Sequence, residues 1–164
     1  MSYLNVISLG HAKKYLRVDE ELVDDDCQIE RMIKSALSTI ERRTNILFYA
    51  REKKYIFQDY SVKVYDYPIN EVVSTFDFDT EQKTLFTNYQ TNSSDKEIVL
   101  NVGYTNTDNI PFELVDCALQ YIKYLYYEAE TNTANRGSLP LWLNDMINQN
   151  KRFVFWEQGS TIRK

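Results

Sequence analysis

The chain has few of the residues on which most enzyme and metal sites depend. Its 164 residues include 1 histidine, 2 cysteines and 4 glycines. So few glycines leave no Gly-rich loop to bind phosphate, and the single histidine, His11, has no nearby nucleophile to activate. Cys27 and Cys117 lie in predicted helices without a local partner, which favours free thiols over a disulfide or a metal cluster. We therefore predict no catalytic residue, no cofactor and no metal ion.

Long apolar runs and an excess of positive charge are also missing. No apolar segment approaches the length that spans a membrane, and no N-terminal signal-peptide pattern is evident, so no membrane partner is predicted. The net charge of -5 argues against a dedicated nucleic-acid binder. It is compatible with a protein that DNA merely passes, because a negative wall repels phosphate.

Two groups of carboxylates are the remaining candidates for a metal site. Residues 19–26 contain six of them, without the order of a calcium loop, and they precede a predicted helix whose dipole favours negative charge. Asp77 and Asp79 share one face of a predicted strand, where surface alternation explains them as well. A metal-dependent hydrolase is therefore only the third hypothesis.

What the chain has in excess is aromatic residues, with 13 Tyr, 8 Phe and 2 Trp. Aromatic side chains are favoured on strand faces. Tyrosine equally suits surfaces buried on assembly, because it combines apolar area with a hydroxyl that tolerates partial exposure. Both interpretations stay open.

Helical periodicity characterises both ends of the chain. We predict helices over residues 9–17, 25–43, 111–130 and 140–148. Ser8 is the predicted N-cap of the first helix, Asn45 the stop of the second, and Pro111 lies in the first turn of the third. The apolar stripe of the second helix consists of Ile29, Met32, Ile33, Ala36, Leu37 and Ile40. The third helix is apolar or aromatic on more than one side, which is typical of a central helix that also touches a neighbour.

The region between the helices has the pattern of strands. Residues 46–104 show short β-branched and aromatic runs with a period of two, which predicts strands near 52–58, 61–66, 71–78, 84–89 and 96–103. The predicted fold class is α+β: mainly a bundle of three to four helices with an inserted antiparallel β-sheet or hairpin region. We predict one domain over 1–149 and an extended C-terminal tail over 150–164.

The tail combines cations with aromatic residues. Lys151 and Arg152 stand beside Phe153, Phe155 and Trp156. Such a pattern can stack on nucleic acid, but the acidic remainder of the chain favours docking into a partner's sheet or groove. Packing back on its own domain remains nearly as good an interpretation as docking.

Several segments, taken in order, resemble a known family. They are Ser8-Leu9, residues 12–19, Asp24-Asp25, a helix ending in Glu41-Arg42-Arg43-Thr44, residues 67–73, Val102-Gly103-Tyr104, Ile110-Pro111, residues 114–118 and Tyr126-Tyr127-Glu128. Together they cover most of residues 6–130, and their order resembles the small head–tail connector (adaptor) proteins of tailed bacteriophages. The β region is longer than in compact members of that family, and residues 131–164 match no part of the pattern.

This resemblance implies a non-enzymatic virion protein, made in the host cytoplasm and located in the neck. It implies a homo-oligomeric ring, commonly of twelve subunits, that docks on the portal protein and joins capsid to tail. The ring would extend the DNA channel, let the genome pass without specific binding during packaging and ejection, and carry a downstream neck or tail-completion protein. The alternative hypothesis is a small intracellular protein- or peptide-binding module with a Tyr-rich sheet, which predicts a monomer or dimer.

A ring subunit uses two different contact patches, and the sequence offers candidates for them. For the subunit interface they are Tyr121, Tyr124, Tyr127 and Met32; for docking on the portal or a neighbour they are Lys151, Arg152, Phe153, Phe155 and Trp156. The acidic candidates for the wall of the DNA channel are Asp19, Glu20, Glu21 and Asp24.

Overall fold

A computed structural model describes residues 2–57, 61–76, 88–90, 96–131 and 139–151. Within these ranges the helices are α1 (Tyr3–Val6), α2 (Leu9–Leu16), α3 (Asp26–Thr44), α4 (Phe112–Thr131) and α5 (Leu141–Gln149). The strands there are β1 (Arg51–Phe57), β2 (Ser61–Lys63), β3 (Ile69–Phe76), β4 (Asn88–Gln90) and β5 (Lys96–Val102), with a short 3₁₀ turn at Thr107–Asn109. The predicted α+β class, dominated by helices, is confirmed.

Local signals set the ends of the helices as predicted. The Ser8 side chain accepts a hydrogen bond from the main-chain N–H of His11 at 3.2 Å and so caps α2. Asn45 ends α3 in the left-handed conformation with a φ of 60°, which asparagine tolerates better than most residues. Pro111 directly precedes α4, and its carbonyl accepts from the main-chain N–H of Leu114 at 3.0 Å. Each predicted helix exists within one residue of its predicted ends.

The main core lies between α3 and α4. Tyr126, near the end of α4, donates to Asp25 just before α3, at 3.0 Å, so the two long helices run antiparallel. All six residues of the predicted α3 stripe are buried, and α4 meets them with Leu114, Cys117, Ala118, Tyr121 and Ile122. The last helix, α5, covers the same core with Leu143 and Ile147. Burial of these apolar surfaces is the main force that holds the helical part together.

One helix was missed by the sequence prediction. The single turn α1 (Tyr3–Val6) packs against α3, and Ile7 just after it is fully buried. A turn this short carries no periodic signal, because its position depends on tertiary contacts and not on propensity.

The strands form two small antiparallel sheets. One has the order β1-β5-β3, and the other pairs β2 with β4. In the first, Arg51 pairs with Val102 and the ladder continues to Phe57 and Lys96. A second, smaller core packs beneath it, formed by Leu47, Val64, Leu100 and Val102. The prediction of an antiparallel β region is therefore confirmed.

Two strand boundaries were wrong. The predicted strand 61–66 ends at Lys63. Beyond it, the Asp66 carboxylate accepts from Lys53 at 2.7 Å and from the Tyr55 hydroxyl. The predicted strand 71–78 already begins at Ile69. Of the predicted strand 84–89, only 88 and 89 belong to the described residues, and they are in β4.

The main chain of β5 turns sharply against the segment that follows α3. Gly103 has a φ of 110°, and a Cβ there would lie 2.2 Å from the carbonyl oxygen of Tyr49. The main-chain N–H of Gly103 donates to the carbonyl oxygen of Pro68 at 2.7 Å, and the main-chain N–H of Tyr104 donates to that of Leu47 at 3.1 Å. Only glycine fits this crossing, which gives a physical reason for the glycine of the Val102-Gly103-Tyr104 motif.

Candidate assembly surfaces

A buried lysine holds the loop between α2 and α3 from beneath. Lys13 is 3% exposed on the core side of α2. Its Nζ donates to the main-chain oxygens of Glu20 at 2.8 Å and Leu22 at 2.6 Å, and it pairs with Asp26 at 2.8 Å. All three hydrogens of the ammonium group are therefore used. Because the buried charge needs these partners, the path of the loop is coupled to the core.

With main-chain oxygens bonded inward, this loop exposes its side chains. Asp19, Glu20, Glu21 and Asp24, the four predicted channel residues, are all exposed. Between them Leu22 is 47% and Val23 66% exposed. We call residues 19–24 the acidic–apolar loop. The structure brings the four carboxylates together, and their place in a DNA channel stays a prediction.

The outer face of α3 has the opposite character. Apart from the partly exposed Glu30, its exposed residues are cationic or neutral: Cys27, Gln28, Arg31, Lys34, Ser35, Ser38, Arg42 and Arg43. We call Arg31, Lys34, Ser35, Ser38 and Arg42 the basic face of α3, since their spacing places them along one side of the helix. Lys34 makes an exposed ion pair with Glu30 at 3.5 Å, which contributes little.

The predicted subunit-interface residues lie at different depths. Tyr121 is 8% and Met32 9% exposed, so both side chains contribute mostly to the core of their own chain. Tyr124 is half-buried, with its ring centroid 6.4 Å from that of Tyr121. Tyr127 is 45% exposed. On α4, only Tyr127 and part of Tyr124 are therefore accessible to a neighbouring molecule among the predicted interface residues. Their role in a subunit interface stays a prediction.

A buried carboxylate joins the helical part to the sheet. Glu41 is 5% exposed and accepts hydrogen bonds from Tyr3 at 2.7 Å, Arg51 at 2.9 Å and the main-chain N–H of Phe48 at 2.8 Å. Arg51 also lies over the ring of Tyr49, 4.8 Å from its centroid. Burial and the hydrogen bond to Glu41 raise the pKa of Tyr3 to about 12. This network connects α1, α3 and the start of β1.

Three apolar side chains are exposed at the starts of α4 and α5. Phe112 is 76%, Leu141 82% and Trp142 45% exposed. Exposed aromatic and large aliphatic groups of this kind are common in protein contacts. No pattern in the sequence distinguishes these three residues, because single exposed apolar residues are common on protein surfaces.

Of the five docking candidates in the predicted tail, one belongs to the described residues. Lys151 is exposed, whereas Arg152, Phe153, Phe155 and Trp156 lie outside the described residues. Asp77 and Asp79, the candidate chelating pair, also lie outside them. The docking role of the tail stays a prediction.

The titratable groups available for chemistry lie apart from one another or are buried. His11 is exposed at the start of α2. Burial raises the pKa of the Cys117 thiol to about 11, so the thiol is protonated at neutral pH and unreactive. Among the described residues no group of three His, Cys, Asp or Glu side chains could hold a metal ion. In the same part of the chain no helix is both long and apolar enough to cross a bilayer.

Sequence reasoning missed the two buried charges, Lys13 and Glu41. Lys13 follows Leu9 by four positions and precedes Leu16 by three, so helical spacing places it on the apolar side of α2. Glu41 likewise follows Leu37 by four positions. A charged residue at a core position of an amphipathic helix is the signal that could have identified both.

Comparison with known proteins gives matches among solved structures alone. No protein-family model and no curated protein matches the chain. The fold is similar to a chain in the structure described as "Neck of empty GTA particle computed with C6 symmetry", with a TM-score of 0.67 and 13% identity over 93% of this chain and 92% of that one.

Two further structures show the same likeness over the same shares of both chains. A chain of "Virion of native gene transfer agent (GTA) particle" has a TM-score of 0.67 at 12% identity, and a chain of "Neck of native GTA particle computed with C12 symmetry" has 0.66 at 11%. At such identities the likeness establishes a shared fold, which extends over nearly the full length of both chains.

Proposed function

We propose that this chain is a structural subunit of the neck of a phage-like particle, where it docks on the portal and joins capsid to tail. The observation that carries the proposal is the fold, shared over 93% of the chain with a chain in the neck structure of a gene transfer agent particle. The order of sequence motifs supports it separately, because it resembles head–tail connectors without reference to any structure.

The proposed assembly is a ring of twelve copies. Two neck structures with similar chains were computed with C6 and with C12 symmetry. A ring of twelve agrees with both, since twelvefold symmetry includes sixfold symmetry. In such a ring each subunit offers two different patches to its neighbours. Exposed apolar groups such as Tyr127 and Trp142 are candidates for these contacts.

The proposed partners are the portal protein above the ring and a downstream neck or tail-completion protein below it. Genome DNA would pass through the centre without specific binding, which suits a subunit of net charge -5. The location that follows is the virion, at the junction of head and tail.

We propose a role without catalysis, in which polar groups stabilise the subunit. Among the described residues, the buried charges Lys13 and Glu41 each make three hydrogen bonds, which connect a loop and a strand to the helices. This use of buried charge fits a part of the particle that must keep its shape during DNA passage.

Reconstitution tests the proposal. The purified chain is mixed with purified portal rings of the same virus and imaged by cryo-electron microscopy, with binding measured by sedimentation. We expect twelve copies in a ring at the tail-facing side of the portal. A folded chain that does not bind the portal at micromolar concentration would refute the proposal and favour the peptide-binding module.

A truncated chain tests whether the C-terminal tail contributes to portal binding. The chain without residues 152–164 keeps all described residues, and a cooperative thermal unfolding transition checks that it still folds. We expect weaker binding to the portal by at least tenfold if the tail docks there. Unchanged affinity would remove the tail from the docking surface and leave the proposed ring intact.

A further inference from the structure

Two exposed surfaces of this chain carry mainly charge of one sign. The acidic–apolar loop carries four carboxylates and no cation, whereas the basic face of α3 carries Arg31, Lys34 and Arg42, with the Glu30 carboxylate 3.5 Å from Lys34 at its edge. This separation is unusual in a chain with 19 cationic and 24 acidic side chains, where both signs would normally be mixed. The two surfaces are therefore complementary to each other.

We propose that the acidic–apolar loop of one subunit docks on the basic face of α3 of the next. The proposal rests on the ring described above and assigns its subunit contact. Leu22 and Val23 would pack over Ser35 and Ser38, and the flanking carboxylates would meet the cations at either end of the face. The occupant is a second copy of this chain.

The dimensions of the two surfaces permit the contact. Arg31 and Arg42 are eleven residues apart, about 16 Å along the helix. The loop turns where the main-chain N–H of Leu22 donates to the carbonyl of Asp19 at 3.2 Å, so its six residues cover less than the roughly 20 Å of an extended chain and fit within the length of the face. Ser35 and Ser38 are the smallest exposed side chains between the arginines, and they leave room for an apolar pair. Carboxylates lie on both sides of that pair in sequence, as the cations lie on both sides of the serines.

The positions of the surfaces favour a ring over a closed dimer. The loop ends where α3 begins, and the basic face extends from about 8 Å to 24 Å along the helix from that point. A contact between two different patches is head-to-tail, so it repeats from copy to copy until a ring closes. Charge complementarity would also set the register of each contact.

The apolar pair argues against a channel wall as the main role of this loop. Leu22 is 47% and Val23 66% exposed in the middle of the loop. Apolar groups gain nothing from facing hydrated DNA, but they stabilise a protein contact once the partner excludes water. The carboxylates around them then provide specificity through charge.

A charge exchange tests the contact. The loop variant carries Asp19→Lys, Glu21→Lys and Asp24→Lys, and the face variant carries Arg31→Glu, Lys34→Glu and Arg42→Glu. All six positions are exposed, and Lys13 and Asp26 stay unchanged, so both variants should fold. Each variant alone presents like charges across the contact, while a mixture of the two restores opposite charges at every contact.

Assembly is measured by native mass spectrometry and sedimentation, with and without portal rings. We expect each variant alone to need at least a tenfold higher protein concentration than the wild type to assemble. The equimolar mixture should recover it as rings in which the two variants alternate. Assembly of either variant alone at the wild-type concentration would overturn the proposal, as would a mixture that does not recover.

Cross-linking locates the contact directly. A photoreactive amino acid at Val23 should label residues 31–42 of another copy, while the same group at Leu141 serves as the control. A label elsewhere in the ring would overturn this contact and leave the neck function standing. If Val23 labels residues 31–42 of another copy but the chain does not bind the portal, the neck function is refuted and the proposed contact between copies stands. Duplex DNA that binds through Arg31 and Arg42, with assembly of the face variant unchanged, would instead assign the basic face to DNA.

Discussion

The helical part and the β part of this molecule form separate buried clusters. Among the described residues, the helical cluster contains 20 buried side chains and the cluster beneath the sheet contains four. The helical cluster draws on α2, α3, α4 and α5, whereas the smaller one depends on Leu47, Val64, Leu100 and Val102. Small sheets are stable when they pack on something larger. We therefore expect the β part to depend on its attachment to the helices.

The attachment between the two parts provides the largest expected effect. Replacing Glu41 with Ala leaves Arg51 without its carboxylate and the N–H of Phe48 and the hydroxyl of Tyr3 without an acceptor. We expect a loss of about 3–5 kcal/mol in the free energy of unfolding, because the partners of a removed buried charge remain buried. Urea denaturation followed by circular dichroism measures it.

Two controls separate charge from hydrogen bonding. Glu41→Gln keeps an acceptor and should cost less than Glu41→Ala. Glu52→Ala removes an exposed carboxylate of β1 and should change stability by less than about 0.5 kcal/mol. A Glu41→Ala chain within 1 kcal/mol of the wild type would show that the sheet does not need this attachment.

A pair of core truncations tests the comparison directly. Ile33 in α3 and Leu100 in β5 are both fully buried, so Ile33→Ala and Leu100→Ala remove similar apolar surface. We expect the free energy of unfolding to fall by about 4 kcal/mol in Ile33→Ala and by about 2 kcal/mol in Leu100→Ala, because the smaller cluster can relax around a cavity. Equal losses measured by urea denaturation would mean that the sheet is packed as firmly as the helices.

The same contrast explains which parts of the fold could be predicted from the sequence. The helix α3 was predicted from a stripe repeated along one segment and from Asn45 at its end, both of which are local signals. The partner of β1 is β5, and pairs such as Arg51 with Val102 are about fifty residues apart. The alternation of residues within one strand does not indicate which distant strand pairs with it. The strands were therefore predicted, but their order in the sheet and their ends were not.

The candidate surfaces were predictable in part. The acidic residues 19–26 were visible as a run, and the structure confirms that residues 19–24 share one exposed loop. The inward bonds from Lys13 were not visible, because the sequence does not show which lysine turns toward the core. The depth of Tyr121 relative to Tyr127 was also not predictable, since it depends on where α5 and the loops cover α4.

The Lys13 contact gives a smaller effect, confined to the helical part. Lys13→Met removes the donor to Glu20 and Leu22 and the partner of Asp26. We expect a loss of about 2 kcal/mol, because water can rehydrate the released groups at the loop surface. Amide hydrogen exchange should speed up in residues 19–26 and stay unchanged in β5.

Lys14 provides the matched control, since it is the next residue of α2 and is exposed. Lys14→Met should change the free energy of unfolding by less than about 0.5 kcal/mol. It should leave amide hydrogen exchange in residues 19–26 unchanged. Faster exchange throughout the sheet of the Lys13→Met chain would contradict the separation of the two parts.

The smallest expected effect is a pH dependence at the attachment between the parts. The pKa of Tyr3 is about 12 in the folded chain, above its ordinary value of 10.0, because burial and Glu41 disfavour the phenolate. The unfolded chain therefore loses this proton first. Stability from this group is complete below pH 10 and falls as the pH rises toward 12.

We expect the difference in unfolding free energy between the wild type and Tyr3→Phe to shrink by about 1 kcal/mol from pH 9 to pH 11.5, less than the full shift allows because Tyr3 is partly exposed. The pKa of Tyr55 is also raised, by burial and by Asp66, but it contributes equally to both chains and cancels. Urea denaturation of both chains at several pH values gives the difference. Parallel profiles would show that the hydroxyl of Tyr3 is not held against Glu41, and the attachment would then depend on Arg51 and Phe48 alone.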